Sequence, residues 1–368
     1  MKVMILISRM NIGGPSKPIV KQISSRNKQQ VVYQLVTGKC ELNEREFENL
    51  EKYSNSILRV NSLTRKINLY YDFKSFFEII YAIKKFKPDI VHTHLSKAGL
   101  LGRLAAKFSG IRPKIIHTYH GQIIDGYFSK LKVLVFLYLE RLASRITDVF
   151  ISVSHQTMFD LKSSKVGLDK KWLVLHPGVL PRKKTGFKPN KKNILWVGRF
   201  EKIKNPMLAL MTFKVLTQQL KNSSKLVMIG DGDLLEECKE FAKSHNLNVA
   251  FLGWQSNVDF YYEKAALLLM TSLNEGLGLV AIEAGNHGVP TVSTRSGGIS
   301  DYIISSKNGY LVDSDPIKIA KCLSKVLNSN QLQKELGKSA YDKTTKKFNL
   351  NNYIKKQEHL YKSLLKQR

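Results

Sequence analysis

Two carboxylates eight positions apart, Glu275 and Glu283, bracket a glycine-rich turn in SLNEGLGLVAIEA at 272–284. An apolar run of strand length, Leu267–Met270, leads into it, and Gly276 and Gly278 loosen the chain before a helix begins. Backbone N–H groups of Leu279 and Val280 then lie at the positive helix end, a cradle for phosphate. A buried Glu283 can accept two ribose hydroxyls, as acidic residues do in dinucleotide folds. A second cluster, Arg199 and Lys204 in VGRFEKIKNP, follows another apolar run at a strand-to-helix turn. Such a pair can hold one diphosphate, the Arg as a fork and the Lys as a point charge, although a solvated basic loop fits too and Lys202 is an alternative cation. Gly13 and Gly14, after the first strand, let backbone approach a phosphate or sugar, or simply make a tight turn; the GxGxxG fingerprint is absent. His120 in HTYHG follows the strand Lys114–His117 and can hydrogen-bond or exchange protons near neutral pH, with His92, His94 and His117 as competitors.

Two patterns suggest metal and are read otherwise. His92 and His94 are assigned to opposite faces of their strand, with no carboxylate near, so no metal is expected there. Asp231-Gly232-Asp233 matches the DxD of metal-dependent sugar-nucleotide enzymes, but it sits between turn glycines and Asp233 is expected to N-cap the next helix.

These groups need carboxyl ends of strands to present them. Val3–Ile7, Val31–Val36, Ile90–Val91, Lys114–His117 and Val149–Val153 read as buried parallel strands, with helices over Tyr70–Phe86, Ala98–Phe108 and Ser129–Ser144. The second series is Ile194–Val197, Leu226–Ile229, Val249–Leu252, Leu267–Met270 and Thr291–Ser293, with helices Pro206–Leu220, Leu234–His245, Val258–Lys264 and Leu279–His287. Alternation of this kind predicts an α/β protein with two doubly wound, Rossmann-like parallel sheets facing a cleft. Domains are expected at 1–180 and 181–348, joined by a linker at Pro177–Asn193, with a helix at 349–368 returning to the first.

A chain of 368 residues exceeds one ordinary core, which agrees with two domains. The 59 Lys+Arg against 29 Asp+Glu leave +30, spread as +16 over the first 180 residues and +14 over the rest. Such charge calls for a polyanionic partner without choosing one. Three scattered cysteines exclude a disulfide framework and a four-thiolate zinc site, and no segment has the length of a membrane span. A cytoplasmic protein is expected.

The chain resembles the retaining glycosyltransferases of family 4, which have the GT-B fold, through NIGGP (11–15), HTHLSKAGLLGRLAA (92–106), HTYHG (117–121), VGRFEKIKNP (197–206) and NEGLGLVAIEAGNHGVPTVSTRSGG (274–298). HTHLSKAGLLGR and residues 126–148 are similar to members that build bacterial surface polysaccharides. The resemblance implies a nucleotide-sugar donor and no metal cofactor. It casts Arg199 and Lys204 as holders of the donor diphosphate, Glu283 as ligand of its ribose and Glu275 as ligand of the transferred sugar. Leu279 and Val280 would bind phosphate through their amides beside Gly278. Gly13 and Gly14 would line the acceptor side, and His120 would meet the donor sugar or the leaving oxygen. Leu277 and Ser300-Asp301 depart from the family pattern, which has an aromatic and Pro-Glu there.

A sugar-nucleotide 2-epimerase of the same two-domain fold is the rival reading, and donor conversion without acceptor would distinguish it. Nucleic acid is the least favoured partner, because basic residues are not interleaved with aromatics in an RNA-reading motif. Phe128–Arg145 holds an apolar run, Val133–Leu139, among basic residues. A buried core helix is the favoured reading. The alternative is an interfacial surface on an anionic inner membrane face, admitting a polyprenyl-diphosphate-linked acceptor.

Overall fold

The computed structural model describes residues 1–24, 31–41, 44–47, 50–121, 130–183, 192–219 and 223–366. The chain divides into two compact units, the first comprising Met1–Ile124, Phe128–His176 and Asn351–Arg368, the second centred on Pro177–Leu350.

The first unit runs β1 (Lys2–Ile7), α1 (Ser16–Ile23), β2 (Val32–Thr37), β3 (Ile57–Arg59), α2 (Leu69–Phe86), β4 (Ile90–His94), α3 (Ser96–Phe108), β5 (Lys114–Tyr119), α4 (Lys130–Ser144), β6 (Val149–Ser152), α5 (His155–Ser163) and β7 (Lys171–Val174). Its seven strands lie in the order β3-β2-β1-β4-β5-β6-β7, and every pairing is parallel. Buried on both faces, β1 reads as the continuous apolar run VMILI, because each face is covered by helices. The second unit runs β8 (Asn193–Val197), α6 (Pro206–Lys214), β9 (Lys225–Ile229), α7 (Leu235–Ser244), β10 (Val249–Phe251), α8 (Asp259–Lys264), β11 (Ala265–Met270), α9 (Leu279–Asn286), β12 (Thr291–Thr294), α10 (Ile299–Tyr302), β13 (Gly309–Val312), α11 (Pro316–Leu327) and α12 (Asn330–Lys347). Its sheet is β10-β9-β8-β11-β12-β13, again parallel throughout.

The last helix, α13 (Leu350–Leu365), packs in the first unit. Leu360, Tyr361 and Leu364 join a core with Ile19 and Ile23 of α1, and Gln22 Nε2 donates to Gln357 Oε1 at 2.7 Å.

Ten strands stand where the apolar runs predict them, with small shifts of boundary. The edge strands β3, β7 and β13 escape that reading, holding no run of fully buried residues; β10, an equally half-buried edge strand, is still marked by its wholly apolar letters VAF. The strand expected to stop at Val91 continues to His94, since two histidines that look polar as letters are completely buried. The helix expected over Pro206–Leu220 ends at Lys214 and gives way to a π-turn over Val215–Gln219; Leu220 lies outside the described residues, as does Ser129. The described part of the expected linker is anchored to the second unit. Val179 bridges Asn349, Arg182 N–H donates to Asn286 Oδ1 at 3.2 Å, and its guanidinium holds Asp259 and Glu263. Residues 184–191 of it lie outside the described set. Among the described residues, no helix is long and apolar enough to cross a membrane.

Candidate active site

In each unit the sheet order reverses beside its first strand, between β1 and β4 and between β8 and β11. Loops leaving the carboxyl ends of two such strands diverge to opposite sides, which opens the crevice where α/β sheets bind ligands. Gly13 and Gly14 follow β1, Arg199 and Lys204 follow β8, and Glu275 and Gly278 follow β11, while Leu279, Val280 and Glu283 lie on α9 and His120 follows the neighbouring β5.

In the second unit the loops after β8 and β11 are stitched together. Leu273 N–H donates to Ile203 O at 2.9 Å, and Thr271 Oγ1 donates toward Asn205 O at 2.8 Å. Trp196 Nε1 in turn donates to Thr271 Oγ1 at 3.1 Å. Asn205, with φ 48°, closes the first loop as the N-cap of α6 and accepts from Leu208 N–H. This register sets Lys204 Nζ 2.5 Å from Glu275 Oε1, and Ser272 Oγ donates to the same oxygen at 2.6 Å. The pair is mostly shielded, the side chains of Lys204 and Glu275 being 21% and 10% exposed. From behind, Gly298 N–H donates to Glu275 O at 2.8 Å. Gly297 has φ 51°, and a Cβ there would come within 2.0 Å of that same oxygen, so the first glycine of STRSGG is sterically required.

The other expected residues of this unit lie on the loop after β8 and on α9 with the glycine that precedes it. Leu279 and Val280 open α9 behind Gly278, which has φ 79°. That helix start has no side-chain cap and no acid in its first turn, so its N–H groups and positive dipole end are not neutralised by the helix itself. Arg199 is half-exposed and pairs with Glu201 at 2.6 Å. Glu283 is only half-buried, a correction to the expectation of a buried carboxylate, and it accepts from Tyr262 OH at 3.3 Å. Leu277, where the family has an aromatic, is buried. Ser272, Tyr262 and Gly297 carry no role in the sequence reading, although Ser272 opens SLNEGLGLVAIEA and Gly297 lies in STRSGG.

Asp233 is not a cap. The residue before α7 is Leu234 and no side chain caps it, while Asp231 Oδ1 accepts from Gly232 N–H at 2.8 Å within an exposed loop. The glycines there serve packing, because a Cβ on Gly230 would strike Gly198 O.

In the first unit, Gly13 and Gly14 turn the chain between β1 and α1 without left-handed φ. A Cβ on Gly13 would meet nothing closer than 3.7 Å, so the fold itself does not demand glycine there. His120 lies past β5 and is tied to β4, its Nε2 2.9 Å from His94 Nδ1. His92 and His94 share one face with ring centroids 4.3 Å apart, which corrects the assignment to opposite faces: residues i and i+2 of a strand point the same way. His92 Nδ1 meets Tyr361 OH of α13 at 2.6 Å, and its Nε2 meets Thr118 Oγ1 at 2.7 Å. His117 points to the other face, 2.8 Å from Thr93 Oγ1. Burial favours the neutral rings, lowering His120 to about 4 and, with His120 as a further cause, His92 to about 3. His120 is therefore a neutral hydrogen-bonding group near pH 7.

The helix favoured as buried is not. Along α4, Leu131, Leu134, Tyr138 and Leu142 face solvent, while its one acid, Glu140, is buried against Arg103 at 2.8 Å and accepts from Tyr119 OH. An apolar run can hide a solvent face that sequence does not mark.

Comparison with known proteins agrees with this construction. Residues 34–182 match the family model Glycosyltransferase Family 4, and residues 181–343 match Glycosyl transferases group 1. An Escherichia coli relative, UDP-Gal:alpha-D-GlcNAc-diphosphoundecaprenol alpha-1,3-galactosyltransferase, is 29% identical over 320 residues, covering 82% of each chain. A Campylobacter jejuni relative, GalNAc-alpha-(1->4)-GalNAc-alpha-(1->3)-diNAcBac-PP-undecaprenol alpha-1,4-N-acetyl-D-galactosaminyltransferase, is 29% identical over 351 residues, covering 92% of each. HepE of Anabaena, solved in complex with UDP, superposes with a TM-score of 0.79 at 16% identity, over 99% of this chain and 100% of that one, which shows the shared fold. The two parallel-sheet units of the present chain carry the two matching domains, and the chain belongs to the family 4 glycosyltransferases of GT-B fold.

Proposed function

We propose that this glycosyltransferase moves a hexose from a UDP-sugar to a saccharide carried on a polyprenyl diphosphate, with retention at the anomeric carbon, during bacterial surface-polysaccharide synthesis. The observation that carries the reading is the Lys204–Glu275 pair at the carboxyl ends of adjacent β8 and β11, beside the uncapped start of α9. When the bond from sugar to diphosphate breaks, negative charge gathers on the leaving phosphate. Lys204, Arg199 and the amides of Leu279 and Val280 are the groups that would meet it, in a shielded place where such stabilisation is the largest catalytic effect. Glu275 would hold sugar hydroxyls, and Glu283 the ribose. In the first unit Gly13 and Gly14 would serve the acceptor and His120 would donate a hydrogen bond to the sugar or the leaving oxygen. Charge stabilisation by side chains and amides needs no metal, and none is proposed.

Two relatives named for undecaprenyl-diphosphate acceptors and alpha linkages support the acceptor class and retention, and a UDP complex of a structural neighbour supports the nucleotide. A lipid-linked acceptor places the enzyme peripherally at the cytoplasmic face of the membrane. The test incubates the purified chain with UDP-sugars, first alone and then with an undecaprenyl-diphosphate-linked saccharide. Transfer to the lipid-linked saccharide is expected; conversion of the donor without acceptor would replace this reading by the epimerase.

A further inference from the structure

Exposed apolar side chains are not scattered over the described residues. More than half of the large ones sit on α2, on the turn before it and on α4, both in the first unit. Along α2, Tyr70, Phe73, Phe77 and Tyr81 recur at helical spacing on the solvent face, Phe73 and Tyr81 each 67% exposed. Phe73 and Phe77 stack edge-to-face at 4.8 Å, so the stripe is continuous. The opposite face, with Ser75, Ile79, Ala82 and Ile83, is already buried, so the aromatics are not needed for the core. From Tyr70 to Tyr81 the stripe runs about 17 Å along the helix.

The charges are sorted by sign. On α2, Lys74, Lys84 and Lys85 are exposed, while Asp72 is engaged by Lys97 and Glu78 accepts from Ser62 Oγ at 2.6 Å. On α4, Lys132 and Arg141 are exposed, and Glu140 is buried against Arg103. Between them α3 packs against both helices. Two stripes of apolar side chains, fringed by cations and stripped of exposed acids, match a surface that is apolar below and anionic above. A second copy of this chain would bring like charges together across the contact, in a molecule already at +30.

We propose that the solvent faces of α2 and α4 dock the enzyme on an anionic phospholipid bilayer, the aromatics entering the headgroup boundary and the lysines facing lipid phosphates. The inference rests on the reading of a lipid-linked acceptor and extends it to a named surface. The full chain is co-sedimented with phosphatidylglycerol–phosphatidylethanolamine vesicles and with phosphatidylcholine vesicles, beside a triple Phe73→Ser, Phe77→Ser, Tyr81→Ser variant and a double Leu134→Ser, Tyr138→Ser variant. Wild type is expected to bind the anionic vesicles, weaken with salt and ignore phosphatidylcholine. Each variant is expected to bind at least about tenfold more weakly, given the apolar area removed from the contact, with its UDP-induced thermal shift unchanged. Failure of wild type to bind anionic vesicles at low salt would overturn the inference, as would unchanged binding by both variants. It would be overturned equally by a wild-type dimer in sedimentation analysis that the triple variant converts to monomer. Vesicle binding without sugar transfer to an undecaprenyl-linked saccharide would uphold the docking face and overturn the acceptor reading instead.

Discussion

Lys204→Met is the perturbation that probes the site most sharply, because it keeps the side chain's length and removes only the charge. In the unliganded protein Lys204 Nζ lies 2.5 Å from Glu275 Oε1, and the carboxylate's other side-chain contact on that oxygen is the Ser272 hydroxyl. Exposed ion pairs contribute about 0–1 kcal/mol, and breaking a buried one costs about 3–5 kcal/mol. At 21% and 10% exposure this pair lies between those limits, so about 2 kcal/mol of stability should be lost. For a unit of this size that corresponds to a fall in Tm of about 4–8 °C. The assay is thermal unfolding of wild type, Lys204→Met, Glu275→Gln and the double variant, with and without UDP. A double-mutant cycle should give a coupling of about 1–3 kcal/mol, and UDP should stabilise wild type far more than Lys204→Met. Coupling below about 0.5 kcal/mol, or equal stabilisation of both proteins by UDP, would refute the assignment of Lys204 to both the pair and the diphosphate.

Three further outcomes are expected. Gly297→Ala forces a Cβ onto Glu275 O in a left-handed conformation and should cost more than about 1 kcal/mol while lowering turnover, read by unfolding and by donor consumption. Arg103→Met leaves Glu140 buried with, among the described residues, only Tyr119 as hydrogen-bond donor and should destabilise by about 3–5 kcal/mol in chemical denaturation, a loss largely restored by adding Glu140→Leu. His92 and His120 bind protons more readily once unfolded, since they are depressed to about 3 and 4 in the folded chain. Stability should therefore fall as pH drops below about 6.5, each such histidine adding about 1.4 kcal/mol per pH unit until its folded value is reached. Replacing His120 by Asn should flatten that decline in acid unfolding curves.

The central strands were legible because burial on both faces leaves an unbroken apolar run, as at Met4–Leu6 and Leu267–Met270. Edge strands such as β13 keep one side partly open and lose that mark. Within the site, Arg199, Lys204, Glu275, Gly278, Leu279 and Glu283 could be named because type and spacing relative to a strand end suffice to suggest a phosphate site. Their mutual placement could not. The Lys204–Glu275 contact depends on two loops 71 positions apart in the chain, locked through Thr271 and Ile203. Likewise the His92–Tyr361 contact spans 269 positions, and only the return of α13 to the first unit brings it about. Helix faces are the hardest to read. The apolar run of α4 spells a core helix, yet one stripe meets solvent, since burial depends on what packs against a helix and not on its own letters.

The measurement closest to the central claim is sugar transfer by Glu275→Ala and Lys204→Ala, assayed with the UDP-sugar and lipid-linked saccharide that wild type uses, on protein shown by circular dichroism to be folded. Loss of electrostatic stabilisation in the transition state should lower turnover at least about a hundredfold in each. Near-wild-type turnover in both variants would contradict the claim that the paired loops after β8 and β11 form the catalytic donor site.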